Sequence, residues 1–87
     1  MKIIIEPHTL KRALERGATR NEIHEVISGG KLIPAKSDRL GKFKIFTFDK
    51  ERNGVYYQQK RVEVYHVIEN ETIITVTVYV FYGKWEE

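Results

Sequence analysis

The eleven residues from Thr72 to Tyr82, Thr-Ile-Ile-Thr-Val-Thr-Val-Tyr-Val-Phe-Tyr, contain no Gly, no Pro and no charged side chain. Nearly all are β-branched or aromatic, the side chains that fit a pleated, well-covered surface. The stretch predicts a long interior strand against which the rest of the chain must be built. Alternation puts Ile74, Val76, Val78 and Val80 on one face and Ile73, Thr75, Thr77, Tyr79 and Phe81 on the other. The first face is apolar; the second interleaves hydroxyls with apolar groups. Such a strand belongs to a sheet that helices cover on one side only.

The segments before it predict those helices. Lys2 to Ile5 reads as a short first strand ended by Glu6-Pro7. Proline suits the first turn of a helix, so a helix is predicted from about Pro7 or His8, with Leu10, Ala13 and Leu14 as its apolar stripe and Gly17 as its stop. Thr19 and Glu22 have capping-box spacing and open a second helix, buried through Ile23, Val26 and Ile27 and ended by Gly29-Gly30. Both helices are too short to persist unless they pack on the sheet.

From Lys31 the period changes. Lys31 to Lys36, interrupted by Pro34, suits an edge strand, and Ser37 to Gly41 a loop. Lys42 to Asp49 alternates as a strand, Asn53-Gly54 is a hairpin signal, and Val55 to Glu69 is extended, with a bulge or break expected near Gln58-Gln59. His66 shares its parity with Val62, Val64 and Ile68 and is expected in the core; His24, beside Glu22 and Glu25, is expected at the surface. Asn70-Glu71 turns the chain into the final strand, and Gly83 to Glu87 form a tail. The prediction is a single α+β domain over 1–87, in the order β-α-α-β-β-β with room for one more edge strand. A helical hairpin would pack on one face of a three- to five-stranded antiparallel sheet.

Composition limits the chemistry. With 87 residues and no cysteine, neither a second domain nor disulfides nor a zinc–thiolate site is expected. The N-terminal apolar run is too short for a signal peptide or a membrane span, which makes a cytoplasmic protein the expectation. The abundance of Lys, Glu, Ile and Val resembles thermophile composition. A net charge of +3 permits a polyanionic partner. Three scattered histidines predict no metal site, Gly29-Gly30 lacks the residues of a phosphate loop, and no cofactor is expected.

Two constellations remain. His8, Arg12 and Arg16 recur every four residues and share a helix stripe, either as a solvated face or as a base with two phosphate clamps. On the mixed sheet face Arg61, Glu63, Tyr65, Thr75, Thr77 and Tyr79 come together, with Lys60 and Lys84 at the margins. Such a surface suits ordinary cross-strand pairing or the stacking of nucleobases.

The combination Pro7-His8-x-x-x-Arg12-x-x-x-Arg16-Gly17, the capped second helix and the ending Thr-Val-Tyr-Val-Phe-Tyr-Gly resembles small prokaryotic domains grouped with the RelE/ParE/BrnT-like toxins. More widely, it resembles the barnase, EndoU and colicin type of ribonuclease. The resemblance implies a toxin of a toxin–antitoxin pair: a metal-independent ribonuclease with His8, Arg12 and Arg16 catalytic, and Lys60, Arg61, Tyr65, Tyr79, Tyr82 and Lys84 contacting RNA. A cognate antitoxin would be its partner. The alternative on the same fold is a non-catalytic protein- or nucleic-acid-binding module.

Overall fold

The computed structural model describes residues 1–86, so Glu87 at the end of the expected tail lies outside the described residues. In chain order the elements are β1 (Lys2–Ile4), α1 (Pro7–Arg16), α2 (Arg20–Gly29), β2 (Lys31–Ile33), β3 (Leu40–Arg52), β4 (Val55–Glu69) and β5 (Thr72–Gly83). One five-stranded sheet runs β1-β5-β4-β3-β2. The α+β class and the helical hairpin on a sheet agree with the sequence; the all-antiparallel arrangement does not. β1 runs parallel to β5, pairing Lys2, Ile3 and Ile4 with Thr72, Ile73 and Ile74, and β2 supplies the fifth strand on the far edge of β3. Local patterning fixes which residues are extended, but which distant strand a three-residue segment joins is decided by tertiary packing.

Both helices start as their end residues dictate. The Glu6 carboxylate accepts the His8 and Thr9 backbone N–H groups, each at 3.1 Å, with Pro7 in the first turn. Thr19 and Glu22 close the expected capping box. The core they cover is Ala13, Ala18, Ile23, Val26 and Ile27 from the helical layer against Val62, Val64 and Val78 from β4 and β5. Each larger aliphatic group sealed there contributes roughly 1.5–3 kcal/mol relative to exposure.

Parity along β5 holds over only half the strand. Tyr65 pairs with Thr77 but His66 pairs with Thr75, so Val76 is an extra residue in a β-bulge. The phase therefore reverses: Val78 and Val80 face the helices as expected, and Thr75, placed by parity on the open face, is instead 2% exposed inside. A second irregularity lies opposite Gln58, but the inserted residues are Phe48 and Asp49 of β3. Leu14, expected on the buried stripe of α1, is 56% exposed. The helix lies over the outer edge of β5, so Thr9 and Ala13 face inward in its place. Beyond Ile74, where β1 stops, Thr9 Oγ1 donates to the Val76 carbonyl at 3.1 Å and Arg16 to the Val78 carbonyl at 2.7 Å. Side chains of α1 thus occupy an edge that a strand would otherwise pair.

The C-terminus of α1 is held from three strands. Its orphan carbonyls at Glu15, Arg16 and Gly17 accept from Arg52 of β3 at 3.1 Å, the Tyr82 hydroxyl of β5 at 2.7 Å and Lys60 Nζ of β4 at 2.7 Å. Lys60 also pairs with Glu22 at 2.8 Å, so one buried ammonium joins the end of α1 to the start of α2. Gly17 adopts φ 101°, and a Cβ there would run into the Tyr82 hydroxyl.

His66 lies in the core with Val62 and Val64, as its parity predicts, and its Nδ1 has no hydrogen-bond partner among the described residues. Burial, reinforced by the Lys42 ammonium, pushes its pKa below the ordinary histidine value. Between that depressed value and the unfolded value near 6.5 the unfolded chain binds more protons, so acidification favours unfolding. Urea midpoints should stay level above about pH 7 and fall as the pH drops below about 6.5. His66→Met should remove most of that fall between pH 7 and 5; equal slopes in the two proteins would exclude His66 as its source.

Candidate nucleic-acid interface

The face turned away from the helices is made by alternate residues of the three long strands. Register sets Phe43 and Ile45 of β3 beside Glu63 and Arg61 of β4, and these beside Tyr79 and Phe81 of β5; Tyr65 lies beside Thr77. The Tyr65 and Tyr79 rings meet edge-to-face with centroids 5.9 Å apart, and Tyr79 and Phe81 follow at 6.5 Å. Tyr79 and Phe81 are 44% and 48% exposed. A row of partly exposed rings on one side of a sheet is a surface on which flat ligands can stack.

The polar groups among these rings are mostly committed to one another. Arg61 Nε donates to Glu63 at 2.9 Å while its guanidinium lies 3.8 Å from the Phe43 centroid. The Tyr65 hydroxyl donates to the other Glu63 oxygen at 3.0 Å. Burial first, and then this hydrogen bond, push the Tyr65 pKa upward, so the phenol stays protonated at neutral pH. Gly41 is needed beneath it: a Cβ there would stand 2.9 Å from the Tyr65 ring, which lies across β3.

The residues singled out from sequence separate into three groups. Arg61, Tyr65 and Tyr79 share the open face, and Lys84 is exposed just after β5. Lys60 and Tyr82 point to the opposite side, where both bind carbonyls of the α1 terminus, and Lys60 is 6% exposed. Neither is placed to contact RNA on the open face. The reason lies in pairing: Lys60 and Tyr82 are direct partners and share the phase of Val62 and Val80. On α1, His8 and Arg12 are exposed, and neither side chain makes a hydrogen bond or ion pair among the described residues. Arg16 leaves that stripe: it binds the Val78 carbonyl and passes over the β5 edge to lie 5.3 Å from the Tyr79 centroid. Eight residues of helix put His8 about 12 Å from Arg16 along the axis. The three therefore do not converge on one cleft.

Phe43, Phe81, Lys36 and Arg39 belong to this surface although no motif marks them. Phe81 carried a parity signal, since it shares the phase of Thr77 and Tyr79, and Phe43 joins the face as the direct partner of Glu63. The loop cations carried none, because a loop's resting place is not encoded in periodicity. Trp85, in the tail, donates its backbone N–H to Gln59 at 2.6 Å and sets its indole beside Gly83. Among the described residues no helix is long and apolar enough to cross a membrane, and no group of three or more His, Asp or Glu side chains is placed to hold a metal ion. No family model, curated protein or solved structure matches this chain.

Proposed function

We propose that this chain is a non-catalytic module that binds single-stranded RNA on the open face of its sheet. The observation that carries this reading is the uncovered row Tyr65–Tyr79–Phe81, with ring spacings of 5.9 and 6.5 Å. Rings on a sheet accept unstacked bases of a single strand, whereas a duplex offers none. Because Arg61 and Arg16 are already bound to Glu63 and the Val78 carbonyl, stacking outweighs charge in this interface. A partner protein, such as an antitoxin, would regulate the module by covering the same rings.

The acid–base ribonuclease is the weaker reading. A general base must reach the proton it removes, within hydrogen-bond distance or through one water. His8 stands at the far end of α1 from the one stripe residue that touches the open face. The test is anisotropy of a labelled RNA oligomer, in EDTA, with gel analysis of the same samples. Binding should appear with intact RNA and a shallow salt dependence, near the slope of about −0.7 expected for each phosphate neutralised on a single strand. Absence of binding at low salt would end the RNA-binding reading. Cleavage lost in both His8→Ala and Arg12→Ala would restore the enzyme.

A further inference from the structure

At one end of the ring row the loop after β2 rises beside the sheet and makes a cleft of about 480 Å³, lined by Pro34, Lys36, Arg39, Tyr65, Thr77 and Tyr79. That volume lies within the roughly 300–1,000 Å³ of small-ligand sites. The two tyrosines supply aromatic surface and Thr77 a hydroxyl at the wall. A turn closed by the Arg39 N–H on the Lys36 carbonyl at 2.8 Å brings the two loop cations onto one rim.

These cations differ from the others near the rings. Arg61 is bound to Glu63 and Arg16 to a strand carbonyl. Among the described residues neither the Lys36 nor the Arg39 side chain has an acidic or hydrogen-bonding partner. Two uncommitted positive charges beside aromatic walls complement a ligand with a flat ring at one end and an anion at the other. An aliphatic acid would leave the rings unused, and an uncharged aromatic would leave the cations unused.

We propose that this cleft is a nucleotide site, in which one base packs against Tyr65 and Tyr79 while its phosphate sits between Lys36 and Arg39. The proposal rests on the RNA-binding reading and deepens it: the loop fixes one nucleotide of the strand, and the remaining rings accept its neighbours without selection. Phosphate held by two side chains of one short turn gives the bound strand a register that stacking alone cannot supply.

The test compares nucleoside 5′-monophosphates with the matching nucleosides by titration calorimetry and by amide shifts in ¹⁵N-labelled full-length protein. The monophosphate should bind at least about tenfold more tightly, with shifts centred on Lys36, Arg39, Tyr65 and Thr77. The exposed double variant Lys36→Ala/Arg39→Ala should lose that advantage and keep the nucleoside affinity. Equal binding of nucleoside and nucleotide, an unchanged double variant, or equal competition by a Glu-rich peptide would overturn the proposal. An RNA oligomer titrated in parallel separates the two readings. Oligomer binding without monophosphate binding removes only the nucleotide site; failure of both removes the RNA-binding reading as well.

Discussion

Lys60→Met should destabilise the protein by about 3 kcal/mol, the low end of the roughly 3–5 kcal/mol seen when a buried ion pair loses one partner. The low end applies because the Glu22 side chain keeps 20% of its exposure while that of Lys60 keeps 8%. Methionine retains the aliphatic stem but removes both bonds at Nζ, taking the donor from the Gly17 carbonyl and leaving Glu22 Oε1 with the Thr19 N–H. In a domain of this size the change corresponds to a melting temperature lower by about 12–24 °C. Adding Glu22→Gln, which can still close the capping box, should recover part of the loss, because it removes the uncompensated charge. A Lys60→Met protein within about 1 kcal/mol of the parent would show that the ammonium is not the link between the helices.

Tyr79→Ala should weaken RNA binding about 5- to 150-fold, the equivalent of about 1–3 kcal/mol for one lost base-stacking platform, while lowering stability by only about 1 kcal/mol through its lost cross-strand ring contacts. The separation is expected because Tyr79 is 44% exposed and its hydroxyl donates to no protein group among the described residues. It is also central: its ring contacts those of Tyr65 and Phe81 and lies under Arg16. Tyr82→Phe provides the contrast. It removes the hydrogen bond to the Arg16 carbonyl on the helix side, so it should lower stability by about 1 kcal/mol and leave RNA affinity untouched. If Tyr82→Phe weakened binding as strongly as Tyr79→Ala, the assignment of the interface to the open face would be wrong.

The chain's local chemistry was readable where one residue type has one use. The Asn53-Gly54 turn, the Thr19–Glu22 box, Gly17 after the first helix and the buried phase of His66 all follow from residue type and spacing. What escaped was whatever depends on one inserted residue or on a distant partner. Val76 resembles its neighbours in every local property, so nothing in the sequence distinguishes a bulge there, and the error passes to Thr75. Tyr82 and Lys60 look like surface groups by type; their use as caps on α1 is visible only once three strands are folded together. Of the proposed interface, the shared face of Arg61, Tyr65 and Tyr79 could be read from alternation, whereas the placement of Lys36 and Arg39 beside it could not.

The way α1 ends also bears on the order in which the molecule assembles. Its last three carbonyls are closed by groups 37, 66 and 43 residues further along the chain. Helix ends ordinarily fray on their own, because their terminal bonds are local and weak. The Leu14 and Ala13 carbonyls are closed locally by the Gly17 and Ala18 N–H groups, whereas those of Glu15, Arg16 and Gly17 gain their donors only after the three long strands have come together. The last carbonyls of α1 are therefore completed by the sheet, and the same contacts couple the opening of α1's end to the unfolding of the three strands.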